Sequence, residues 1–212
     1  MVDIQNYNTI QGIFPCPVYI SKRNSVLDST EEKDIEDIIK EGMHKNIGNI
    51  SSVNQYIFNG KLKNIKQFCE ERLNIYVKVI INPKEELDFY ITQSWLNITK
   101  PGGYHHEHSH QNSIISGVFY ISTEEDDKIT FVDPNFNLKH VLRIEPKTFN
   151  IWNSHICSIP SIPNELLLFP SWLNHQVEIN EKATTDRISL SFNTFVKGTL
   201  GKRKDLNQLI LK

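Results

Sequence analysis

The sequence predicts an α+β protein in which two amphipathic helices lie against a β sandwich or jelly roll. Three observations predict it. Apolar residues recur twice at helical spacing before residue 82. From about residue 88 the pattern changes to short runs rich in Val, Ile, Phe, Tyr, Trp and Thr. Turn signals such as Asp133-Pro134-Asn135 and Ile162-Pro163-Asn164 separate those runs.

The first helix is expected to start at Ser29-Thr30-Glu31-Glu32, with Ile35, Ile38, Ile39 and Met43 following at helical spacing. The second follows Asn59-Gly60. Its apolar face is Leu62, Ile65, Phe68, Cys69, Leu73, Tyr76 and Ile80, and Asn82-Pro83 ends it. Strands are expected around 88–98, 113–122, 128–132, 138–144, 148–157, 165–169, 174–179 and 187–196. The chain divides into a mainly helical support at 1–87, a β core at 88–196 and a tail at 197–212, read as one domain.

The composition narrows the function classes. The 212 residues are 39% hydrophobic, enough for one sizeable core. Net charge is −2 and no basic stripe exists, which argues against a nucleic-acid partner. Cys16, Cys69 and Cys157 are far apart and odd in number, as expected of reduced intracellular thiols. The start MVDIQNYNTI lacks a basic region followed by an apolar run, so no signal peptide is expected. No apolar run reaches membrane-spanning length, so no membrane partner is expected. A cytoplasmic location, in a bacterial or phage-infected host cell, follows, and a homodimer is left open.

Four of the eight histidines fall in Gly102-Gly103-Tyr104-His105-His106-Glu107-His108-Ser109-His110. The letters His106-Glu107-His108-Ser109-His110 fit the H-E-x-x-H zinc-protease pattern, which needs a helix. Pro101-Gly102-Gly103 before and the strand-like Ile114–Ile121 after leave no room for one. In an extended segment alternate side chains share a face. His106, His108 and His110 then point one way, and His105 and Glu107 the other. A solvated loop also accounts for the cluster taken alone. A third ligand is expected from elsewhere, and His175, opening a strand after Pro170-Ser171-Trp172, has the best context among the remaining histidines.

The last strand adds weight. Arg187, Ser189, Ser191 and Asn193 alternate with Ile188, Leu190, Phe192 and Thr194. The apolar face suits packing under helices, and the polar face suits a cavity lining. A cavity arginine needs an anion, because an unpaired buried charge is costly, and a carboxylate matches its planar fork.

With these residues in view, the chain resembles the iron(II)/2-oxoglutarate-dependent oxygenases, and most closely an uncharacterised bacterial and phage branch of them. The matching pieces run in order through nearly the whole chain. They are Ile13–Val18, Trp95-Leu96-Asn97, His108–Ser113, Ser116–Tyr120, Phe131–Pro134, Leu168–Ser171 with His175, and Arg187–Asn193. The resemblance implies a double-stranded β-helix, cupin-like, with the N-terminal helices packed on one sheet. It implies Fe(II) held by His108, His110 and His175, with O2 and the cosubstrate 2-oxoglutarate. Arg187 would bind the cosubstrate's distal carboxylate and Ser189 would add a hydroxyl. Asn97 and Tyr120 are further candidates for contact with it. Hydroxylation of an unidentified substrate, with release of succinate and CO2, would be the reaction.

His110 stands where most of that superfamily has a carboxylate. The pair His105-x-Glu107 would restore one and ranks second. Two other readings stay open: a cupin-like three-histidine metalloenzyme that uses no 2-oxoglutarate, and a non-catalytic, phage-associated binding module.

Overall fold

The computed structural model describes residues 10–136, 142 and 144–212. Helix α1 (Ser29–Glu41) begins where its sequence begins to cap itself. The Asp28 carboxylate accepts the N–H groups of Thr30 and Glu31, and the Glu31 side chain accepts the Asp28 N–H. Gly42, at φ 129°, ends the helix, so Met43 leaves the expected helical face for a strand. Helix α2 (Lys63–Tyr76) continues into a π-helical turn, Val77–Ile81, and stops at Asn82 in the left-handed region.

Strands β1 (Tyr19–Lys22), β2 (Met43–Lys45) and β3 (Ile50–Ser52) precede the expected β half. They are short and half polar, which hid them from a periodicity reading. Then come β4 (Leu87–Thr99), β5 (His105–His108), β6 (Ile115–Ser122), β7 (Lys128–Val132), β8 (Ile156–Pro160), β9 (Glu165–Pro170), β10 (Asn174–Val177), β11 (Arg187–Leu200) and β12 (Leu209–Leu211). Residues 197–212, expected as a tail, hold the end of β11 and the strand β12 that pairs with it. The strand expected at 138–144 lies mostly outside the described residues, as does His140.

The strand expected at 148–157 is corrected: only Ile156 and Cys157 of it are in β8. Asparagine side chains turn the rest. Asn150 Oδ1 accepts the Trp152 N–H at 2.8 Å, and Asn153 Oδ1 accepts the Asn150 N–H at 2.8 Å. Such local bonds compete with the ladder.

The strands form two sheets. The 8-stranded sheet runs β1-β9-β6-β11-β4-β3-β2, with β12 on β11, and the 4-stranded sheet runs β5-β10-β7-β8. Ile38, Leu62, Ile65 and Leu73 of the helical half pack with Leu96, Phe119, Leu190 and Phe192 on one face of the large sheet. Val118, Tyr120, Leu167 and Phe169 of the large sheet meet Ile129 and Phe131 of the small one on its other face. Gly117 belongs to the first contact, since a Cβ there would sit 2.2 Å from the Phe192 ring. This is a double-stranded β-helix with helices covering one sheet. The alternation of β11 is what divides it, sending Leu190 and Phe192 to the helices and Arg187, Ser189 and Ser191 inward.

Candidate metal centre

Strand pairing assembles the histidines. His175 on β10 lies directly across from His108 on β5. Their ring centroids are 4.3 Å apart, and the His110 ring is 5.2 Å from His108 and 5.1 Å from His175. The ligand nitrogens these three rings offer all lie within 4.8 Å of one another. The H-E-x-x-H reading falls here, because His105–His108 is strand, with no helical turn to stack His106 over His110.

Each of the three rings is held by Nδ1. His108 Nδ1 bonds the His106 carbonyl at 2.7 Å, and His175 Nδ1 bonds the Leu173 carbonyl at 3.0 Å. A carbonyl only accepts, so the proton sits on Nδ1 and the Nε2 lone pair is left for a ligand. His110 Nδ1 meets Asn193 Oδ1 at 2.6 Å and Ser116 Oγ at 2.7 Å. Ser116 is bonded in turn to the buried Ser171 hydroxyl at 2.8 Å, and the His110 N–H donates to the Ser171 carbonyl. Anchoring the second ring nitrogen in this way fixes a metal-binding histidine's tautomer and aim.

The rings are also kept neutral. Burial, with the neighbouring His108 second, lowers His175 to about 3 and His110 to about 4. Burial lowers His108 as well. Neutral imidazoles are the form that binds metal.

The same cavity contains the polar face of β11. Arg187, 7% exposed, and Ser189 line it together with Asn97 and Trp95. The guanidinium donates to the Lys128 carbonyl at 3.2 Å and makes no ion pair with any described carboxylate. Asn97 is already engaged, accepting from Ser51 Oγ at 2.8 Å and donating to Ser191 Oγ at 2.9 Å. Tyr120 does not line the cavity. Its ring lies 5.3 Å from Arg187 Cζ and its buried hydroxyl neighbours Arg187 and Ser161, so it backs the arginine.

Two expectations about β5 change. Between the pairs His175–His108 and Val177–His105, β5 spends three residues against two of β10. This bulge breaks the strict alternation. His105 lines the cavity beside His108, while His106 does not. Glu107 stays outside, exposed, accepting from Asn174 Nδ2 at 2.8 Å, so the pair His105-x-Glu107 brings no carboxylate to the cavity.

Asn193, Ser116 and Asn49 were missed as site residues. Asn193 sits on the polar face of β11, which pointed to the cavity without naming its partner. Asn49 carried no signal. It precedes β3, lines the cavity at 8% exposure, and both atoms of its amide lack partners.

A site of three convergent imidazoles opposite an unpaired buried arginine is suited to hold a divalent metal and an anionic chelator together. Comparison with known proteins finds relatives of the fold that carries it. Residues 93–193 match the family described as "Putative 2OG-Fe(II) oxygenase". Over that stretch, which runs from β4 to β11 and holds all three histidines and Arg187, the chain is similar to that family. Solved structures share the fold at low identity. A 2OG-Fe(II) oxygenase family oxidoreductase from Burkholderia pseudomallei is 10% identical over 84% of this chain and 83% of its own, with a TM-score of 0.54. HygX from Streptomyces hygroscopicus, solved with nickel, 2-oxoglutarate and hygromycin B, is 10% identical over 84% and 82%, with a TM-score of 0.54. A Pseudomonas putida prolyl-4-hydroxylase is 15% identical over 82% and 91%, with a TM-score of 0.52. No curated protein sequence matches the chain significantly. No helix among the described residues is long and apolar enough to cross a membrane.

Proposed function

We propose that the chain holds Fe(II) through His108, His110 and His175, binds 2-oxoglutarate against Arg187, and hydroxylates an organic substrate with release of succinate and CO2. The observation that carries this is one cavity with three Nδ1-anchored imidazoles and a buried guanidinium that has no carboxylate partner among the described residues. When bound, iron(II) supplies the redox chemistry that couples O2-dependent decarboxylation of 2-oxoglutarate to oxidation of a C–H bond.

The residues have separate tasks. The three rings give the ion a neutral nitrogen set, so the centre is one charge more positive than one with a carboxylate ligand. That strengthens attraction for a dianionic cosubstrate in a buried cavity. Arg187 neutralises the distal carboxylate, with the Tyr120 ring 5.3 Å from its Cζ and Ser189 offering a hydroxyl. Asn49 completes the cradle by giving its unpartnered amide to the cosubstrate. Trp95, 5.8 Å from the His110 ring, walls the site against water.

The prime substrate is assigned to a groove of about 590 Å³ beside the centre. Phe131, the cross-strand partner of His175, stands in its wall with Phe14, Phe149, Ile151 and Trp172. That lining suits a substrate with an apolar or aromatic portion. The test is succinate formation from 2-oxoglutarate by the Fe(II)-loaded protein, compared with Arg187→Ala. Turnover abolished by the substitution supports the reading. No binding of 2-oxoglutarate by wild type sinks it.

A further inference from the structure

The bulge in β5 has a second product besides the cavity-facing His105. The ligand nitrogens of His105, His106 and His108 also lie within 4.8 Å of one another. Their ring centroids are 5.3, 4.3 and 5.1 Å apart for the pairs 105–106, 105–108 and 106–108. Adjacent residues of a regular strand point to opposite faces, so this grouping exists only because the strand is bulged.

From the convergence of these three rings, and an unpartnered buried nitrogen on one of them, we infer a second cation seat on His105, His106 and His108. It overlaps the first and excludes it. The unpartnered nitrogen is His106 Nδ1, which is buried and has no hydrogen-bond partner. Nothing in the packing satisfies it, and an unmet buried polar atom is costly. His105 is held only loosely, by a 3.3 Å contact from Asn46 Nδ2.

Exclusion follows from His108. Its Nδ1 is committed to the His106 carbonyl, so Nε2 is its one available donor. Whichever seat is filled takes that nitrogen. The second seat is all imidazole, a set that suits Zn²⁺, Ni²⁺ and Cu²⁺. The first seat is all imidazole as well, so an ion divides between the two by their geometry, and one that sits in the second takes His108 from the first. This rests on His108 serving the first seat as proposed above. It requires nothing of 2-oxoglutarate.

Cobalt(II) titration of the metal-stripped full-length chain, followed by its visible absorption, separates the possibilities. Wild type takes up a single equivalent. His175→Ala and His110→Ala, which each dismantle the first seat, still bind one ion, with an altered spectrum. Adding His106→Ala to either abolishes that binding. His106→Ala alone keeps the wild-type spectrum. Two equivalents bound at once by wild type would refute exclusion. No binding by either single variant, each folded by circular dichroism, would refute the second seat. Equal binding by the double and single variants would refute it too. No cobalt binding by wild type would instead overturn the first seat.

Discussion

His175 and His108 face each other across the β10–β5 ladder, with ring centroids 4.3 Å apart and each Nδ1 tied to a backbone carbonyl two residues earlier. Two strands far apart in sequence thus meet at one ligand pair, so a bound ion cross-links them in the folded chain alone. A divalent ion at about a hundred times its dissociation constant should stabilise the fold by about 2.7 kcal/mol. Thermal melts with and without Mn²⁺ or Co²⁺ check it. The double variant His106→Ala/His175→Ala, which dismantles both seats, should lose most of the shift.

Asn193 acts through His110. Asn193→Ala removes the 2.6 Å acceptor of the ring proton while leaving the three imidazoles in place. Metal affinity should fall by about 10–100-fold, the usual effect of losing such a partner. Calorimetric titration of the stripped protein measures it, and an unchanged affinity would show that Ser116 alone aims the ring.

Asn49 and Arg187 separate affinity from stability. Arg187→Ala should weaken 2-oxoglutarate binding by about 2–5 kcal/mol, the range for truncating one member of a buried charge pair. Asn49→Leu should weaken it less. In the ligand-free protein the same substitution should raise stability, because it removes two buried polar atoms without partners. Urea unfolding and 2-oxoglutarate binding, run side by side, read both signs.

The metal-free protein should be acid-sensitive. An unfolded histidine takes up its proton near pH 6.5. In the folded chain burial holds His105 and His175 down to about 3 and His110 to about 4. Between these limits the unfolded state binds more protons, so stability is intact above about pH 6.5 and is lost progressively as pH falls. Glu124, held down to about 2 chiefly by the Thr185 hydroxyl, adds its own loss only below the ordinary carboxylate range. The decline between pH 6.5 and 5 therefore reports the histidines. An unfolding midpoint flat across that interval would contradict it.

What the sequence made legible was what strand alternation controls. The polar and apolar faces of β11 were separable by eye, and the extended reading of residues 105–108 followed from the flanking Pro-Gly-Gly and the strand after it. The bulge was not legible. It arises from how β5 pairs with β10, and neither segment signals a register change by itself. Asn49 was hidden for a related reason. Its place in the cavity depends on β3 joining the far side of the β4–β11 pair, a contact across 46 or more residues. Tyr120 looked like a cavity residue because β6 neighbours the site, yet its phenol lies beneath Arg187.

In the proposed site Fe(II) and 2-oxoglutarate share one cavity with His108, His110, His175 and Arg187. Anaerobic titration of the metal-stripped protein with Fe(II) and 2-oxoglutarate, following the visible charge-transfer band of the chelate, tests it most directly. Wild type should develop the band, and His175→Ala and Arg187→Ala should lose or weaken it. No band in wild type, or one of equal strength in His175→Ala, would contradict the account.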